Sequence, residues 1–126
     1  MTIHLDLDDL MAAAAAALAP AEVLVRDLGL LESALARPRA NAFGEDAYPD
    51  LHLKAAALLD SLARNNALID GNERLAWVAT RLFLIQNDED VRVPSPETGD
   101  RFVREVAQGQ LDLEGIVAAL QSWRPA

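Results

Sequence analysis

A chain of 126 residues with a net charge of −9 has the length of one domain with one hydrophobic core, and its acidity speaks against nucleic acid as a direct partner and for a basic protein or peptide. With no Cys in the sequence, disulfides, thiolate nucleophiles and cysteine zinc sites are excluded. Ala carries much of the 52% hydrophobic content and aromatics make up only 5%, a balance that suits closely packed helices better than a sheet.

The first predicted helix runs from Leu7 to Leu18, with Asp6 or Asp8 as its cap and Pro20 helping to end it. The stretch Met11 to Ala19 is apolar but too short to cross a bilayer. Asp6, Asp8 and Asp9 precede it where a signal peptide would carry basic residues. A soluble, cytoplasmic protein with no membrane partner is therefore expected. The small side chains from Ala12 to Ala17 permit close approach of a neighbour. A second helix spans Leu28 to Leu35 with Asp27 as N-cap, and Arg37-Pro38-Arg39 ends it. Ala40 to Pro49 reads as the longest irregular connection, with Tyr48 pushed toward extended geometry by Pro49. Asp50 then caps a third helix that reaches Asn65, with Leu51, Leu58, Leu59 and Leu62 on one face. Lys54 is the only lysine. His4 and His52, the only histidines, stand outside any metal-ligand spacing and read as surface or cap residues.

Asn66 to Arg74 forms a tight polar loop running into a fourth helix that ends near Gln86. Asp70-Gly71 is a turn signal, and Leu75, Val78, Ala79 and Leu82 follow at helical spacing. The third and fourth helices are expected to form the central, most buried pair. Asn87-Asp88-Glu89-Asp90 reads as a solvated turn, and Val91-Arg92-Val93 as extended. Ser95-Pro96-Glu97 starts a fifth helix that runs to Gln108 and is closed by Gly109. A last helix covers Leu113 to Ser122. Trp77 and Trp123 read as packing residues. The sum is an all-α single domain of about six helices.

The loop carries the chemistry. The first N–H groups of the fourth helix have no partner within the helix, and with the positive dipole end they form an anion site. Arg74 in the first turn adds a fork suited to phosphate. Asp70 is a hard oxygen ligand of the type magnesium uses beside a nucleotide. Arg64, just before the loop, is within reach of the same anion, or serves only to offset the dipole of the third helix.

Asp70, Gly71, Asn72 and Arg74 match the loop of the Fic/Doc family, whose pattern is His-x-Phe-x-Asp/Glu-Gly/Ala-Asn-Lys/Arg-Arg. Asn66 stands at the position of the His, Leu68 at that of the Phe and Glu73 at that of the Lys. The flanks Arg26 to Pro38, Tyr48-Pro49-Asp50-Leu51, Lys54 to Leu59 and Arg81 to Asn87 resemble the Doc, or death-on-curing, branch. The similarity extends from about Ile3 to Ala119. It implies a helical Fic/Doc fold in which the connection before the third helix is a flap beside the loop. It also implies a toxin paired with a Phd-like antitoxin, whose C-terminal segment folds onto the toxin. The implied reaction is kinase-like: ATP and Mg are bound, and the terminal phosphate passes to a translation elongation factor, arresting translation. In that scheme the residue at position 66 is the general base, Asp70 holds Mg, and Gly71, Asn72, residue 73, Arg74 and Arg64 hold phosphate.

The two departures fall on the chemistry. An amide at position 66 can hydrogen-bond a hydroxyl but cannot take its proton, and loss of a general base costs about 10²–10⁴-fold in rate. Glu for Lys at position 73 changes the local charge by two units, each worth on the order of 3 kcal/mol at about 5 Å and an effective dielectric of about 20, less where exposed. Both residues also have plain structural uses, Asn66 as a helix terminator and Glu73 as a first-turn acid that favours the dipole. Three readings stay open: a Doc-like toxin whose transfer activity is impaired, a non-catalytic module that binds an antitoxin or another protein on the same scaffold, and a Fic-type AMP transferase.

Overall fold

The computed structural model describes residues 1–125. Among these residues six α-helices follow one another: α1 Leu7–Leu18, α2 Leu28–Ala36, α3 Leu51–Arg64, α4 Asn72–Gln86, α5 Pro96–Ala107 and α6 Leu113–Ser122. The expected all-α class holds, and the helix bounds fall within two residues of those read from the sequence. A 3₁₀ turn at Arg37–Arg39 follows α2. No helix among the described residues is long and apolar enough to cross a membrane.

Local chemistry explains the helix starts. Asp6, Asp27, Asp50, Ser95 and Asp112 each accept a hydrogen bond from a backbone N–H in the first turn of the helix that follows, which satisfies a donor the helix cannot. Asp6, not Asp8, caps α1, and Asp9 answers it by accepting from the Asp6 N–H at 3.0 Å.

The core is organised around α3, which packs on α4, α5 and α6. Ala55, Ala56, Ala57, Leu58 and Leu59 are all but fully buried, so this helix is enclosed on more than one side. The run of alanines lets neighbouring helices approach closely without cavities, which accounts for a core so poor in aromatics. α4 is packed most extensively on α3 and also meets α1, as expected of the central pair. At the far end Phe102 lies edge-on to both Trp77 and Trp123, which gives the two tryptophans their packing role.

The connection before α3 departs from expectation. It is a short antiparallel hairpin, β1 Asn41–Ala42 against β2 Glu45–Asp46, turned by Phe43 at φ 55° and Gly44 at φ 82°. Two successive residues with positive φ match the right-handed twist of a two-residue hairpin. Phe is a rare choice for such a turn, which hid the hairpin from sequence patterns. The hairpin is rooted in α3 through Lys54, only 2% exposed, whose Nζ donates to the carbonyl of Tyr48 and to Asp46 Oδ2, the latter at 3.0 Å. Arg37 joins the same root, donating to Tyr48 Oη at 3.1 Å and Asp60 Oδ2 at 2.8 Å.

Three smaller expectations are corrected. His52 is buried in the first turn of α3 and not a surface residue, with no hydrogen-bond partner for its Nε2 among the described residues. His4 is half-buried and stacked on Phe83. The segment Asn87 to Asp90 is more than a solvated turn. Asn87 clips the N-terminal segment through Ile3 N–H and C=O, Glu89 accepts from Arg124 at 2.6 Å, and Asp90 takes both arms of Arg81. The Arg81 hydrogen bonds hold the Asp90 carboxyl below the usual carboxylate range. Residues 91–93, read as extended, lie outside any helix or ladder, and there the Arg92 N–H donates to the Trp123 carbonyl at 2.7 Å.

Candidate active site

The loop between α3 and α4 is fixed from three directions. Asn65 ends α3, and Asn66 follows at φ 54°, a left-handed conformation that Asn and His tolerate better than most residues. The guanidinium of Arg26 donates to the carbonyls of Asn66 at 2.7 Å and Asn65 at 3.4 Å, so a cation sits on the carbonyl end of α3 where the dipole favours it. The Arg26 backbone N–H donates to the Ala67 carbonyl, and the Ile69 N–H to that of Leu24, which lays the segment before α2 antiparallel against the loop around the pair Val25 and Leu68. On the loop's other side the Asn72 carboxamide receives the Leu68 N–H and donates to the Leu68 carbonyl, both at 2.9 Å. One side chain thus does the work of a paired strand.

Gly71 makes the turn into α4 at φ 88°. A Cβ there would lie 2.8 Å from Leu18 Cδ1 and closer still to Cδ2, so the last turn of α1 presses on the loop at a place only glycine leaves open. Asp70 points its Oδ1 to the Gly71 N–H at 2.9 Å and is exposed to solvent.

α4 is the exception among the helix starts. Gly71 supplies no side-chain cap, and the N–H groups of Asn72, Glu73 and Arg74 find no partner among the described residues. This bare N-terminus opens onto a cleft of about 900 Å³ between the end of α1, the loop and α5. All seven residues singled out in the sequence, Arg64, Asn66, Asp70, Gly71, Asn72, Glu73 and Arg74, line it. Their standing differs. The Asn72 side chain is committed to Leu68, leaving its backbone N–H for a ligand. Arg64 lies 3.6 Å from Asp60 and packs over Gly109, so it serves the α3 terminus while remaining at the rim. Arg74 is exposed and forms no ion pair among the described residues.

Sequence reading missed the wall opposite the loop. Asp100, Arg104 and Gln108 of the α5 segment also line the cleft, and Arg104, like Arg74, has no ion-pair partner among the described residues. Their spacing of four puts them on one helix face, a signal that was present but not tied to the loop. Counted by charge, the lining carries four carboxylates, Glu22, Asp70, Glu73 and Asp100, against three guanidiniums, Arg64, Arg74 and Arg104. The balance is one negative charge; a Lys at position 73 would make it one positive.

These parts suit an anionic group bound at the α4 N-terminus, with donors from the backbone and from Arg74. No group of three or more His, Asp or Glu side chains among the described residues could hold a metal ion on its own. Asp70 offers a carboxylate beside the bare helix start, which is sufficient for Mg only when phosphate oxygens and water complete its shell. Asn66 offers a hydrogen-bonding amide and no base.

The family model described as "Fic/DOC family" matches residues 4–84 of the chain. Over 127 residues the chain is 45% identical to Toxin Doc of Mycolicibacterium smegmatis, an alignment that covers 100% of this chain and 97% of that relative.

Proposed function

Because this chain belongs to the Fic/DOC family, on its Doc branch, we propose that it is the toxin-side component of a toxin–antitoxin pair whose cleft takes ATP with Mg, and whose phosphoryl transfer to a translation elongation factor is impaired by Asn66 and Glu73. The observation that carries this reading is the uncapped N-terminus of α4, which opens beside Asp70 and Arg74 where the other five helices are closed by side chains.

In the proposed reaction the hydroxyl oxygen of the acceptor forms a bond to the terminal phosphorus. The bond from that phosphorus to the bridging oxygen breaks, and ADP leaves. The N–H groups of Asn72, Glu73 and Arg74 and the Arg74 guanidinium hold the phosphate oxygens, and Arg104 faces them from α5. Asp70 would hold Mg together with those oxygens, and the ion would neutralise charge on the phosphates. Asn66 can accept the hydrogen bond of the incoming hydroxyl and orient it. The proton then has to leave to water, since the amide cannot carry it. Glu73 stands at the phosphates with the wrong sign, consistent with a cleft whose net charge is negative.

That negative balance also favours a second reading, a binding module that keeps the antitoxin surface and has lost transfer. Both readings predict an antitoxin partner, Phd-like, with a C-terminal segment that folds on binding. They part on the double substitution Asn66→His with Glu73→Lys. The impaired-toxin reading expects the doubly substituted protein to add about 80 Da per event to the elongation factor in the presence of ATP. Each single substitution should stay low, because proton removal and phosphate placement are separate defects. A larger added mass, that of a nucleotide, would assign AMP transfer instead. No modification and no ATP binding by the double variant would leave the binding module as the function.

A further inference from the structure

We infer that the extended segment Val23 to Val25 is a docking edge for the acceptor protein, which adds a strand of its own there on the side away from the loop. The inference rests on the phosphoryl-transfer reading above, and the edge adjoins the cleft, sharing Glu22, Ile69 and Asp70 with its rim. Around the pair Val25 and Leu68 the inward hydrogen bonds are made by the neighbours, Arg26 N–H to Ala67 C=O and Ile69 N–H to Leu24 C=O. In that antiparallel pattern the N–H and C=O of Val25 itself point away from the loop. Neither has a hydrogen-bond partner among the described residues. The loop's far side is already closed by the Asn72 carboxamide, so Val25 is the side on which this small ladder can grow.

The surroundings of the edge fit a protein strand. Leu24, Val25, Leu28 and Ile69 are among the large apolar side chains left exposed, from 36% for Val25 to 65% for Ile69. They gather where the edge, the start of α2 and the loop meet, and an apolar patch of this kind beside a site marks a contact surface. The charged groups around it are Glu22, Asp27 and Asp70, all exposed. Arg26, the one cation within the segment, is committed to the Asn65 and Asn66 carbonyls. The edge thus selects an extended segment with apolar side chains flanked by Lys or Arg. Main-chain pairing supplies affinity and the alternate side chains supply choice. An acceptor strand laid outside Val25 lies two strand spacings from the loop that carries Asn66, about 10 Å, so the added strand anchors the acceptor and a residue beyond its end presents the hydroxyl.

The test uses the full chain with a purified translation elongation factor as the probe, and binding read by biolayer interferometry. Val25→Pro removes the outward N–H and keeps the inward bonds, which belong to residues 24 and 26. Leu28→Arg removes an apolar contact from α2 and sets a cation against the Lys or Arg flanks, which keeps the test valid if the proline variant folds poorly. Each substitution is expected to weaken capture of the factor by about tenfold or more, and neither should change ATP affinity in the Asn66→His, Glu73→Lys background. Capture unchanged in both variants overturns the edge. So does a parent chain that binds ATP in that background and captures no factor. A concentration-dependent dimer of the parent that Val25→Pro dissociates also overturns it, assigning the edge to a second copy. Capture lost in the variants of a protein that binds no ATP would support the edge while contradicting the phosphate chemistry.

Discussion

The Arg26 guanidinium holds the main-chain carbonyl of Asn66 at 2.7 Å across 40 residues of sequence. This bond, with its longer companion to Asn65, stabilises a left-handed residue at the position where the proposed chemistry is sited. Replacing Arg26 by Gln should lower stability by about 1 kcal/mol, at the low end for a charge-assisted bond because the side chain is exposed. Thermal melting should shift down by roughly 3–6 °C for a domain of this size. Amide exchange should quicken most at residues 66–69; a uniform change over the molecule would contradict a local clamp.

Gly71 and Leu18 give a sharper case. Gly71→Ala places a methyl group against the Leu18 side chain and forces φ 88° on a residue that resists it. Denaturant unfolding should show a loss of about 2 kcal/mol or more. Adding Leu18→Ala should relieve the clash but not the backbone strain, so the double variant should lose less than the two single losses summed. Strict additivity would mean that the last turn of α1 does not press on the loop.

At the hairpin tip Phe43 is fully exposed at φ 55°. Asn accepts that conformation with less strain, and Asn-Gly is the preferred pair for this turn. Phe43→Asn should therefore raise stability by about 0.5–1 kcal/mol, read as a higher melting temperature with unchanged helical circular dichroism. A decrease would show that the Phe43 ring makes stabilising contacts in solution.

His4 should leave a signature in the acid range. Burial, helped by the positive charges of Arg39 and Lys54, pushes its pKa below the ordinary value. The folded state then favours the neutral ring stacked on Phe83. With the folded value depressed, the unfolded chain binds more protons, so this contribution is fully present above about pH 6.5 and is lost as the pH falls toward the folded value. Melting temperatures compared at pH 7.5 and 5.5 should fall less in His4→Phe than in the parent protein. An identical fall in both would remove His4 from the account.

Much of the fold was legible because it is written locally. Asp27, Asp50 and Ser95 announce their helices by capping chemistry, and the Leu spacing of α3 announces a buried face, whereas the cap at Asp112 shows only in the structure. The loop from Asn66 to Arg74 could be found, with its residues on one cleft, because motif and helix start coincide in sequence. What stayed hidden depends on partners far apart. Nothing local tells that Arg26 binds Asn66, that the segment at Val25 lies along Leu68, or that Arg104 of α5 lines the same cleft as Arg74. Phe43 concealed a hairpin because its turn conformation runs against its own preference, and His52 was misjudged because burial is decided by what packs over α3.

Lys54 has a practical meaning. As the only lysine in the sequence, lying under the hairpin with its amine hydrogen-bonded to Asp46 and Tyr48, it leaves the folded surface without a lysine amine to acylate. Its reaction with an acylating reagent requires the hairpin to lift, so the labelling rate measures the free energy of that opening. The chain therefore carries its own chemical clock for the hairpin. Anything that clamps the hairpin should slow the clock without any change to the sequence.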